Sequence, residues 1–202
     1  MTPDISAGQQ QRNHRIIVLA LICLTLLGLA FRLYLAWRTN QTLPDTPARL
    51  RGDEPGYEYL AYELLKGNFF DWPGRTPIYP FFMAGCYAIF GRSPASVVYV
   101  QAFLGATIIP LTFILARRFT GAHSSLVAAG LIALHPSLIL HVMRMQTEVL
   151  YAPLIILTVL GLLRALEQPQ WQNFSLAGAL LAITNLCRPS AMLLPALVPL
   201  LM

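Results

Sequence analysis

The chain has 202 residues, of which 56% are hydrophobic and only 11% charged. A soluble domain carries about a quarter charged residues, so this composition excludes a soluble fold and indicates an integral membrane protein. The net charge of +5, from 14 basic and 9 acidic residues, is scattered over loops with no basic stripe to track nucleic acid; it fits contact with anionic lipid or a lipid phosphate.

Residues 1–15 form a polar tail, with Arg12, His14 and Arg15 just before the first apolar run. Ile16 to Trp37 is long enough to span a bilayer, which takes about 20 residues. No small-residue cleavage pattern follows it, so it reads as an uncleaved first helix. Its basic flank sets the N-terminus in the cytoplasm. Arg32 and Arg38, near the far end, are expected to snorkel to the headgroups.

A long polar loop follows and opens on Arg51–Lys66, RGDEPGYEYLAYELLK. Asp53 and Glu54 stand at the mouth of an amphipathic helix, with Pro55 in its first turn. Tyr57, Leu60, Ala61, Leu64 and Leu65 recur at helical spacing as an apolar stripe, with Glu58, Glu63 and Lys66 off it. Three tyrosines on so short a helix suit a membrane–water interface. The bland reading of the acid pair is a helix cap. After Asp71–Pro77 comes Ile78–Gly91, shorter than the roughly 17 residues needed to cross. It reads as a second interfacial or re-entrant helix, so the loop extends over 38–94.

Ala95–Ala116 reads as a full span followed by Arg117 and Arg118. Ala122–His141 reads as another, broken at His135-Pro136, and Val149–Leu163 as the next. Phe174–Leu186 is apolar but short and ends at Cys187-Arg188-Pro189. Ala191–Met202 is apolar again, with Pro195 and Pro199; the chain stops inside it, as a C-terminally incomplete protein would. Cys23, Cys86 and Cys187 lie in apolar runs without ligand spacing, and His135 and His141 lack a ligand partner, so neither a disulfide framework nor a metal site is expected.

The expected fold is therefore all-α: a polytopic transmembrane bundle, domain 16–202 after the tail, with interfacial helices in the first extracytoplasmic loop. If Ile78–Gly91 does not cross, Glu148 and Arg188 return to the face that carries Asp53 and Glu54. That face then gathers these groups with His141, Arg75 and Arg144. Ionisable groups at membrane spans are costly and usually have a partner or a task. The bland partner of Glu148 is Arg144, one helical turn earlier. Carboxylates beside arginines at a membrane surface suit displacement of a lipid phosphate from a sugar carbon. The base would reach the acceptor directly, and arginine would hold the departing phosphate.

The order of these features is itself informative: a basic-flanked helix, GDEPGYEYLAYELLKG, RTPIYPFF, TEVLY at Thr147–Tyr151 and LCRPS at Leu186–Ser190. This resembles the N-terminal part of a C-type (GT-C) membrane glycosyltransferase, most similar to the protein O-mannosyltransferase and aminoarabinose-transferase group. The resemblance implies transfer of a sugar, with inversion, from a polyprenyl-phosphate donor to an extracytoplasmic protein, lipid or glycan acceptor. It implies that Asp53 is the catalytic acid position, with Glu54 beside it and Glu148 as a second acidic residue. Arg75 and Arg188 fall on basic positions for the donor phosphate, and Arg144 and Tyr57 complete the expected substrate-binding set. No cofactor is indicated; relatives differ on a divalent cation. A bacterial inner membrane, with the active face outward, is the expected location. The alternatives are a transporter or lipid-binding membrane protein, to which proline-broken helices such as Leu134–Ser137 also point, and a non-catalytic scaffold.

Overall fold

A computed structural model of the chain describes residues 5–69 and 74–192. Its regular elements are helical: α1 (Ile5–Thr42), a 3-10 turn at Pro47–Arg49, α2 (Glu54–Leu65), α3 (Ile78–Phe90), α4 (Pro94–Ala116), α5 (Ala122–Ala133), α6 (Pro136–His141), α7 (Glu148–Glu167), α8 (Trp171–Cys187) and a 3-10 turn at Pro189–Ala191. Of the expected apolar run Ala191–Met202, residues 193–202, with Pro195 and Pro199, lie outside the described residues. So do residues 70–73 of the expected loop and residues 1–4 of the tail.

Three helices, α1 over Gly8–Thr42, α4 and α7, are long and apolar enough to cross a membrane. The chain is an integral membrane protein with an all-α, polytopic bundle. Helix α1 begins earlier than the apolar run at Ile16, because Gln, Ala and Arg are good helix formers and each adds one bond to a helix already nucleated. The Ala122–His141 segment divides at its His135-Pro136 step. His135 is extended, as a residue before proline prefers, and separates α5 from α6.

Side-chain ties at the helix ends fix the path. Asp45, just beyond α1, accepts from Ser93 Oγ at 2.7 Å and from the Ala95 amide at 2.8 Å, so α4 starts where α1 ends. Thr76 Oγ1, before α3, donates to the Cys187 carbonyl at the end of α8. Met145 N, after α6, donates to Glu54 at the start of α2. Arg118 and Glu167 pair at the opposite end, beyond α4 and at the close of α7. Both ends of α3 therefore lie at the Asp45–Asp53 end, and α3 does not cross. From α1 onward the chain alternates: α4 away, α5–α6 back, α7 away, α8 back. Glu148 and Arg188 thus share an end with Asp53. Tyr34 and Trp37, stacked at 6.1 Å and about half exposed on α1, mark one interface; exposed Phe119 and Trp171 mark the other.

Helices α2 and α3 form a cap over the Asp53 end. Ala61 and Leu64 pack with Tyr79, Met83, Ala84 and Tyr87, and with Val97 and Met145 below. Two expectations need correction here. Leu65 lies on the exposed side, whereas Glu58 is buried and meets Arg92 Nε at 2.6 Å. Glu54, Glu58 and Ala61 recur at one face, and a buried carboxylate is tolerated where it is paired. Arg32 does not snorkel. It is fully buried, donates to Gly28 O at 3.0 Å, and lies against Gly105 of α4, where an added Cβ would come within 3.5 Å of its Nε. The guanidinium is enclosed in the α1–α4 seam by packing. Arg38 is exposed, as expected.

Candidate active site

The site is assembled from three separated stretches. The first is the start of α2. The chain turns at Arg51–Asp53, and the two acidic neighbours part there. Glu54 points inward, 8% exposed, and accepts from Arg51 N at 2.7 Å and Met145 N at 3.0 Å. Asp53 makes no side-chain cap, so the bland cap reading does not describe it. Its carboxylate, 70% exposed, accepts from Arg75 Nη2 at 3.0 Å.

The second stretch is Gly74–Thr76. The Arg75 guanidinium lies over the Tyr57 ring at 4.6 Å and directly on Gly56. A Cβ at Gly56 would come within 2.7–2.8 Å of three atoms of that guanidinium, so only a bare α2 turn admits it. Burial is the largest single influence on Arg75 and works against its charge, but the bonds to Asp53 and Tyr57 and the attraction of Asp53 together outweigh it and hold its pKa above the ordinary arginine value. Tyr57 stacks edge-on against Tyr79 at 5.0 Å. Tyr79 in turn donates to Gln101, whose amide donates to the carbonyls of Val142 and Arg144. This buried chain of bonds locks the turn that leads into the third stretch.

That stretch joins Thr147-Glu148 to Arg188. Arg188 Nη1 donates to Glu148 Oε1 at 2.5 Å, while Thr147 Oγ1 donates to Glu148 Oε2 at 3.3 Å. Glu148 therefore takes Arg188, 40 positions on, as its partner in place of the expected Arg144. Arg144 lies in the turn between α6 and α7, so the two residues do not share a helical face, and the α7–α8 packing carries Arg188 alongside instead.

Together these stretches enclose an open cavity of about 350 Å³, lined by Asp53, Tyr57, Gly74, Arg75, Thr76, Thr147, Cys187, Arg188 and Pro189. Of the expected site residues, Asp53, Tyr57, Arg75 and Arg188 line it. Glu148 stands behind Arg188 and Glu54 behind Asp53. Arg144 lies outside it, on two neighbouring cavities. Thr76, Thr147 and Cys187 were not singled out as site residues, although each falls within a quoted motif. His141 bonds through Nδ1 to Ser137 O. Among the described residues no group of three or more His, Cys, Asp or Glu gathers to hold a metal ion.

The arrangement offers one accessible carboxylate and two arginines on one open cavity at the end of a membrane bundle. A family model described as dolichyl-phosphate-mannose-protein mannosyltransferase matches residues 74–202, a stretch that contains Arg75, Glu148 and Arg188 and begins after Asp53. No curated protein and no solved structure matches the chain.

Proposed function

We propose, from the premise that this chain belongs to the dolichyl-phosphate-mannose-protein mannosyltransferase family, how this membrane glycosyltransferase works: it takes a mannose-type sugar from a polyprenyl-phosphate donor and passes it to an acceptor outside the cytoplasm. The observation that carries this reading is the meeting of Asp53, Arg75 and Arg188 on one open cavity.

Asp53 is the general base. It removes the proton of an acceptor hydroxyl or amine. That atom attacks the anomeric carbon from the side opposite the leaving group, which inverts the centre. The bond from the sugar carbon to the phosphate oxygen breaks, and its electron pair stays on the phosphate. Arg75 and Arg188 hold that charge, since a guanidinium fork matches phosphate oxygens. An arriving phosphate competes with Asp53 for Arg75 and so releases the carboxylate for proton transfer. Glu148 orients Arg188 from behind. Glu54 holds the α2 entrance to the Val142–Thr147 turn.

Arg12, His14, Arg15, Arg117 and Arg118 belong to the opposite end of the bundle, which supports a cytoplasmic location for that end and an extracytoplasmic cavity. A bacterial inner membrane fits this arrangement. A transporter would hold its ligand near the midplane; a cavity at the bundle end favours transfer. The test is mannose transfer by the purified protein from polyprenyl-phosphate-mannose to an acceptor mixture. Asp53→Asn is expected to lower transfer by roughly 10²–10⁴-fold while donor binding persists. Normal transfer by that variant would remove Asp53 as the base.

A further inference from the structure

A second cavity, of about 220 Å³, lies on the other side of the Glu54 strut from the transfer cavity. Arg49, Arg51 and Arg144 line it above an apolar floor of Leu43, Val98 and Met143. Arg49 is only 7% exposed and donates to Asn40 Oδ1 at 2.7 Å. Three arginines line it against a single carboxylate, Glu54, whose two oxygens accept the amides of Arg51 and Met145. Asp45, the other carboxylate acting on Arg49, is tied to Ser93 and Ala95 and does not line the cavity. Arg144 has no side-chain hydrogen bond or ion pair among the described residues. Burial presses the Arg49 pKa below the usual arginine value, with Asp45 and Glu54 opposing it. The cavity thus carries positive charge that its own walls do not neutralise.

Its surroundings indicate what would neutralise it. The exposed Tyr34–Trp37 pair marks the membrane interface on α1, and Leu43 follows directly after that helix ends at Thr42, on the headgroup side of the pair. Met143 and Arg144 also line a larger neighbouring space of about 570 Å³, bounded by Leu140 and Ser137 along α6. Leu140 is 61% exposed. A charged pocket at headgroup height that opens onto an apolar groove has the shape of a phospholipid.

We infer that Arg49, Arg51 and Arg144 form a second anion site that holds the phosphate of a membrane lipid, separate from the transfer cavity, with the lipid chains along α6. The probe is phosphatidylglycerol, with phosphatidylcholine as the zwitterionic control. The purified full chain is exchanged into detergent with each lipid, and retained lipid is counted by native mass spectrometry. Wild type is expected to keep phosphatidylglycerol in preference to phosphatidylcholine. R51Q/R144Q removes two cations worth about a fivefold affinity each near an anionic surface, so retention weakens roughly twenty-five-fold. Arg188→Gln, in the transfer cavity, is expected to keep the lipid. Met143→Trp fills the floor without touching the charges and is expected to expel it, which covers the case in which the double variant does not fold. Unchanged retention in R51Q/R144Q or Met143→Trp would overturn the inference. So would loss of the lipid in Arg188→Gln, which would put it in the transfer cavity. Displacement by inorganic phosphate alone would mean a free-phosphate site, which also overturns the lipid assignment. None of these readouts depends on sugar transfer.

Discussion

Asp53 and Glu54 are adjacent in the chain and face opposite ways: one carboxylate is 70% exposed and meets Arg75, the other is 8% exposed and meets the amide of Met145. Replacing each should therefore produce different failures. Asp53→Asn should lower transfer by roughly 10²–10⁴-fold, the usual worth of a general base. Its unfolding temperature should not move, because an exposed ion pair contributes under about 1 kcal/mol. Glu54→Ala leaves the Met145 amide buried without an acceptor, at a cost of about 1–3 kcal/mol. Thermal unfolding of the two variants in the same detergent separates the roles; equal destabilisation would contradict them.

Gly56→Ala is expected to reduce transfer while leaving the fold intact. The new methyl occupies the place of the Arg75 guanidinium, and that guanidinium is the mobile end of a long side chain. It moves away, and Asp53 loses its partner. The donor KM should rise more than kcat falls. A wild-type KM in this variant would show that Arg75 does not hold the donor.

Arg188 and Glu148 should behave as a coupled unit. Arg188→Lys keeps the charge but loses the fork, so it should not restore donor binding. Combining Arg188→Gln with Glu148→Gln should be less harmful than the single effects added together, with a coupling of about 0.5–3 kcal/mol. Strict additivity of donor affinities would mean that Glu148 acts independently of Arg188.

Arg32→Met should raise the unfolding temperature. Within the described residues the buried guanidinium has one bond, to Gly28 O, while Nε and Nη2 have no partner. Replacing a poorly compensated buried charge by an apolar side chain of similar length is expected to stabilise by about 1 kcal/mol or more. A fall in stability would show that Arg32 is held by an interaction stronger than the one to Gly28.

The path of the chain is open to a labelling test. Cysteines placed at Asp53 and Arg188 should react with an impermeant maleimide from one side of sealed vesicles, and a cysteine at Arg118 only from the other. Native Cys86 should stay silent, since it is buried and burial lifts its thiol to about 11. Labelling of positions 53 and 188 from opposite sides would require α3 to cross.

Much of this protein is legible in one dimension. The scarcity of charge, the lengths of the apolar runs and the His135-Pro136 break determine a helical membrane bundle and where its helices lie. These are local properties, set by hydropathy along a few turns and by proline's missing donor. The motif around Asp53 and the arginines at 75 and 188 could also be named from type and spacing. The tertiary structure alone decides which polar groups meet. Glu148 passes over Arg144 for Arg188 because α7 and α8 pack side by side. Glu58 and Arg32 are buried because the helix faces that carry them pack against neighbouring helices. Asp53 and Glu54 separate because Asp53 stands just before α2 and Glu54 opens it, and only the packing of α2 on its neighbours makes one direction interior and the other open.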